Sequence, residues 1–196
     1  MTFDSAGGAH LKVAGLSLRL AERQLFTDLD LAAGPGTVIA VTGPNGCGKS
    51  TLLRVLAGLR NADAGSVLVD GAVHWIGHTL ALKERMTGRA LVSFWRDLLA
   101  GEPGRLGADP FGITGFLDLP VSVLSRGQKQ RLALHRLALC HRPIWLLDEP
   151  GTSLDDTAAA SLDQAIRAHA ANGGLAVVAT HRPLNVAELR HLELGS

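Results

Sequence analysis

Three short stretches of the chain are apolar without interruption: Val38-Ile39-Ala40-Val41, Ile144-Trp145-Leu146-Leu147 and Leu175-Ala176-Val177-Val178-Ala179. A strand with one wet face alternates apolar and polar side chains, so these runs predict strands buried on both faces of a parallel sheet. The second and third are each preceded by a segment of helical character, Gln128 to Cys140 and Asp155 to Ala171. Strands alternating with helices predict an α/β fold with a parallel core sheet. Leu11 to Leu20 reads differently. Its side chains roughly alternate, as in the edge strand of an antiparallel ribbon, and Leu29 to Ala32 begins another strand before the turn Gly34-Pro35-Gly36. Together they predict a small N-terminal antiparallel β region. From about Lys83 to Val123 the pattern changes again, with Leu91, Phe94, Trp95, Leu98 and Leu99 at helical spacing and a Gly/Pro-rich stretch from Gly101 to Gly107. This segment reads as a mostly helical insertion. No repeat, low-complexity tract or long linker divides the chain, so residues 1–196 are expected to close a single domain.

Composition narrows the possibilities. With 46% hydrophobic residues in 196, the chain can bury a sizeable core. Its 19 basic side chains balance 18 acidic ones, so the electrostatic footprint of a nucleic-acid binder is missing and no nucleic-acid partner is expected. No apolar run approaches the roughly 20 residues of a membrane-spanning helix. The start, Met1-Thr2-Phe3-Asp4-Ser5, lacks the basic and then apolar pattern of a secretory leader, so a cytoplasmic location is expected. Cys47 and Cys140 show no C-x-x-C spacing, which argues against both a disulfide framework and a zinc cluster.

The candidate chemistry begins directly after the first buried run. Gly43-Pro44-Asn45-Gly46-Cys47-Gly48-Lys49-Ser50 fits G-x-x-x-x-G-K-[ST] and lies between that strand and a predicted helix, Thr51 to Leu59. Glycines allow the backbone to turn its N–H groups inward around phosphates at a helix N-terminus. Lys49 is then placed to reach the β- and γ-phosphates, and the Ser50 hydroxyl to ligate magnesium. Cys47 needs only to be small here, although its thiol is a candidate for alkylation that would block nucleotide. The second buried run ends in Asp148-Glu149-Pro150, two acids at the strand edge where open α/β sheets bind ligands. Asp148 is expected to hold magnesium and Glu149 to orient or deprotonate the attacking water.

Leu124-Ser125-Arg126-Gly127-Gln128 stands about 75 residues after Lys49 and about 20 before the acid pair. On this combination the chain resembles the ATP-binding cassette (ABC) ATPases, which are P-loop NTPases. The resemblance implies ATP and Mg2+ as ligands and a homodimer with two composite sites. In such a dimer Ser125, Gly127 and Gln128 of one copy face the nucleotide held by the other's Gly43 to Thr51. Thr152-Ser153-Leu154-Asp155 resembles the loop that couples the sites, with Asp155 in its key position. Thr180-His181 resembles the switch histidine, whose imidazole contacts the γ-phosphate and holds Glu149 in place.

There are departures. The family's magnesium-sensing glutamine is replaced by His78, in Trp75-Ile76-Gly77-His78, and Arg126 replaces a signature glycine. An imidazole is shorter and titratable. Arg126 is either a solvated side chain or a cation that tunes closure of the dimer. His74 and His78 suggest a metal pair only weakly, because no third ligand is evident. With no tyrosine in the chain, the aromatic that usually stacks on adenine is also missing, and Leu20 lies near its place. An apolar base contact is expected.

Ile76-Gly77-His78, the compact insertion and Thr180-His181-Arg182-Pro183-Leu184 further resemble the haem-exporter-type ATPase subunits of bacterial cytochrome c maturation. That resemblance implies a CcmB-like membrane permease with CcmC- and CcmD-like proteins, at the cytoplasmic face of the inner membrane. ATP hydrolysis there would serve release of the haem-loaded chaperone. The alternatives are an ATPase subunit for another substrate, a soluble non-transport ABC ATPase, and a nucleotide-binding scaffold that does not hydrolyse. Phe94, Trp95 and Leu98 are candidates for the partner-facing surface, or else belong to the core of the insertion.

Overall fold

The computed structural model describes residues 8–99 and 109–195. The Gly/Pro-rich stretch from Gly101 to Gly107 and nearly all of the N-terminal segment lie outside the described residues.

Two antiparallel strands open the fold, β1 (His10–Leu20) and β2 (Arg23–Ala33), followed by β3 (Val38–Thr42) and helix α1 (Lys49–Leu56). Next come β4 (Ala64–Asp70), β5 (Val73–Ile76) and α2 (Gly88–Leu98). After 3-10 turns at Thr114–Phe116 and Val121–Val123 the chain forms α3 (Arg126–Leu134), α4 (Arg136–Leu139), β6 (Ile144–Asp148), α5 (Asp156–Ala171), β7 (Leu175–Ala179) and β8 (Leu189–Glu193). The three apolar runs are strands β3, β6 and β7. They sit side by side in a parallel sheet of order β5-β6-β7-β3-β8.

The absence of alternation has the expected cause. Ile39, Val41, Ile144, Leu146, Leu175 and Val177 point to one side, into a core shared with Leu52, Leu53 and Leu56 of α1 and with Leu11, Leu16 and Leu18 of β1. Val38, Ala40, Trp145, Leu147, Ala176 and Val178 point to the other, against Leu162 and Ile166 of α5 and Leu132 and Leu134 of α3. Successive strand residues thus feed two cores.

The second sheet has the order β2-β1-β4. Here β1 is the central strand and not an edge, because β4 pairs along its free side, from His10↔Asp70 to Ser17↔Ala64. The β4 segment is mostly exposed and contains Gly65, so its apolar alternation is weak. The expected helix over Gln128 to Cys140 starts two residues earlier and is divided at His135 into α3 and α4. In the middle segment, α2 and the two 3-10 turns are the helical elements among the described residues. Trp95 is buried, with the Arg136 guanidinium over its ring at 5.3 Å, so it serves the core, whereas Leu98 is 67% exposed.

Two buried histidines brace the sheet. The ring of His169 stacks on Trp145 with centroids 3.9 Å apart, and His74 Nε2 lies 3.0 Å from the Cys140 carbonyl. Burial lowers each pKa from 6.5 to about 4. The unfolded chain therefore takes up protons that the native state refuses, so stability is complete above about pH 6.5 and falls as the pH drops toward 4. The expected loss is roughly 3 kcal/mol for each residue. Denaturant midpoints across this range test it, and His169→Asn should flatten the profile.

Candidate active site

The loops at the carboxyl ends of β3, β5, β6 and β7 converge, which is where parallel sheets place ligands. They enclose a cavity of about 420 Å3 lined by Asn45, Gly46, Gly48, Lys49, Ser50, Thr51, His78, Glu149, Thr152 and His181, with Leu20 and Leu25 from the β1–β2 ribbon. Lys49 and His181, 132 positions apart in the chain, become neighbours because β7 and β3 are adjacent strands.

The glycine loop leads from β3 into α1. Gly43 has φ +135°, and a Cβ there would run into the Leu194 carbonyl. Gly48, at φ +112°, is the N-cap of α1, so no side chain shields the first N–H groups of the helix. Cys47 is 2% exposed and packs beneath the loop. The expected alkylation site is therefore closed, and the thiol acts as a small apolar filler.

Lys49 is almost buried. Its Nζ donates to the Gly43 carbonyl at 2.8 Å and the Pro44 carbonyl at 3.2 Å, and lies 3.1 Å from His181 Nε2. The same Nε2 lies 3.4 Å from Glu149 Oε1. Glu149 Oε1 is buried and has no hydrogen-bond partner among the described residues. The backbone of Glu149 is in the left-handed region at φ +51°, held there by its own N–H to the Ala179 carbonyl and by Thr152 N–H to its carbonyl. Strain of this kind persists where surrounding bonds enforce it.

Asp148 is 2% exposed and accepts from Ser50 Oγ at 2.9 Å, while its other oxygen, Oδ2, is buried without a partner. An orphaned carboxylate oxygen beside a hydroxyl is the donor set a hard divalent cation takes. His78 reaches the same cavity, whereas His74 is turned into the core, so the two histidines form no pair. Among the described residues no group of three or more metal-ligating side chains occurs.

Other predicted residues lie apart from this cavity. Ser125 accepts from Gln128 N–H and Gln128 Oε1 from Ser125 N–H, a reciprocal cap that presents the start of α3. A Cβ at Gly127 would come within 2.7 Å of the Ser153 carbonyl, so the glycine lets α3 pack on the Thr152 to Asp155 loop. Asp155 Oδ1 caps α5 by accepting from Ala158 N–H at 2.8 Å. Arg126 is exposed. Leu25 had no signal in the sequence, because its position depends on the ribbon folding over the glycine loop.

A helix N-terminus at a glycine loop, a lysine, an acid with an orphaned oxygen and a second acid thus meet at one cavity. The sequence profile of the ABC transporter family matches residues 26–93 and 106–152. The chain belongs to the ABC transporter family. Its curated relatives include two proteins named cytochrome c biogenesis ATP-binding export protein CcmA. The one from Rhizobium meliloti is 40% identical, covering 94% of this chain and 97% of the relative. The one from Nitrobacter winogradskyi is also 40% identical, covering 94% and 98%. Among solved structures, a dimeric ATP-binding cassette bound to ADP and Pi matches this ABC ATPase with a TM-score of 0.77 at 21% identity, covering 95% of this chain and 97% of that one. At such identity the match shows the shared fold. No helix among the described residues of this ABC protein is long and apolar enough to cross a membrane.

Proposed function

We propose that this ABC ATPase is the motor subunit of an export complex of cytochrome c biogenesis, a single domain over 1–196 with a helical subdomain at about 83–123. The 40% identity to CcmA proteins along almost the whole chain carries that reading. The cavity supplies its chemistry. Glycine-loop N–H groups from Gly43 to Thr51 hold the triphosphate of ATP, and Lys49 exchanges its two carbonyls for the β- and γ-phosphates. Ser50 and Asp148, with His78 at the wall, would hold Mg2+, whose charge offsets that developing on the phosphates. Glu149, which lines the cavity, takes the proton of the attacking water through its carboxylate. His181 releases Lys49 and positions the γ-phosphate.

Ser125, Gly127 and Gln128 lie away from their own chain's cavity and serve the site of a second copy, with Asp155 between the two. ATP then closes the dimer and hydrolysis reopens it, and a CcmB-like permease, with CcmC- and CcmD-like proteins, receives the motion at the cytoplasmic face of the inner membrane. Deleting the gene in its own host is the test. Haem-stained c-type cytochromes should disappear and return with the wild-type gene, and undiminished cytochromes in the deletion strain would overturn the assignment.

A further inference from the structure

The base end of the cavity presents a problem that its phosphate end does not. Leu20 and Leu25 line it, and among the described residues no phenyl or indole ring does. The chain contains no tyrosine at all. A purine resting on leucine edges gains apolar contact but no flat partner.

The ribbon that carries these leucines also carries Arg23. Leu20 and Arg23 are direct cross-strand partners at a two-residue turn, with Ala21 at φ +53°. Residues directly opposite in an antiparallel pair project from the same face. Since Leu20 lines the cavity, the Arg23 side chain extends on the cavity side as well. Its Nη1 lies 3.4 Å from where a Cβ of Gly46 would stand, and Gly46 lines the cavity, although Arg23 is not itself among the lining residues. Arg23 is exposed and has no ion pair or hydrogen bond among the described residues. A substitution there removes nothing the fold depends on.

We propose that the Arg23 guanidinium is the flat face on which the nucleotide base rests, in place of an aromatic ring. The inference depends on the reading of the cavity as an ATP site. A guanidinium is planar and weakly hydrated, and it attracts a π-system through its charge as well as its surface.

ATP affinity measured by calorimetry on the full chain tests this, with inorganic tripolyphosphate as the probe that lacks a base. Arg23→Ala should weaken ATP about three- to tenfold and leave tripolyphosphate unchanged. Arg23→Trp should restore ATP binding, because it restores a plane, whereas Arg23→Lys should not, because it restores only charge. Equal weakening of ATP and tripolyphosphate, recovery in Arg23→Lys, or no effect of Arg23→Ala would each overturn the proposal. Failure of the wild-type chain to bind ATP would instead overturn the ATPase reading itself.

Discussion

Glu149→Gln is expected to bind ATP as the wild type does and to hydrolyse it at least about 100-fold more slowly. The backbone of Glu149 is held by Ala179 and Thr152 whatever the side chain, so the near-isosteric amide should occupy the same place. What changes is proton chemistry. The carboxylate of Glu149 has a buried oxygen with no donor, 3.4 Å from an imidazole nitrogen already engaged by Lys49. A carboxylate can accept a proton from water. An amide cannot. Single-turnover hydrolysis measures the rate, and gel filtration with ATP should show a persistent dimer. Unchanged turnover would remove Glu149 from the mechanism.

Lys49→Ala should weaken ATP binding by roughly 100-fold or more, because a charge-assisted contact from a side chain as buried as Lys49 contributes about 2 to 5 kcal/mol. The structure adds a reason beyond the lost charge. The ammonium donates to the Gly43 and Pro44 carbonyls and lies 3.1 Å from His181 Nε2. Removing it frees those carbonyls to face the incoming phosphates, which like-signed partial charges disfavour. The loop borders an open cavity, so water can reach the freed carbonyls and the fold should lose little stability. ATP raises the melting temperature of any form that binds it. Wild-type protein should show this shift and Lys49→Ala should not, and an equal shift in both would show that Lys49 is not the phosphate contact.

Local patterns carried much of this architecture. Three unbroken apolar runs foretold the three central strands, because a strand with neighbours on both faces has no polar side to display. The glycine loop was equally legible, since its chemistry is written in consecutive residues. The failures share a cause. Leu11 to Leu20 alternates like an edge strand but is central, because the strand that covers it is itself exposed and weakly patterned. Cys47 stands in the loop as an apparent reactive thiol, and only packing beneath Gly43 and Leu194 shows that it is closed off. Trp95 and Leu98 look alike in sequence, yet one is core and the other is exposed.

By itself, then, the sequence determined the fold class, the phosphate loop, the acid pair and the family, because each rests on residues close together in the chain or on fixed motif order. Tertiary structure alone decided which strands became neighbours, and with that the contacts that matter to the chemistry. Lys49 meets His181 and Ser50 meets Asp148 only because β3, β6 and β7 lie together in one sheet. Arg23 approaches Gly46 only because a hairpin in one sheet folds over a loop of the other. Such contacts depend on register and layer packing between distant segments, and no local periodicity records them.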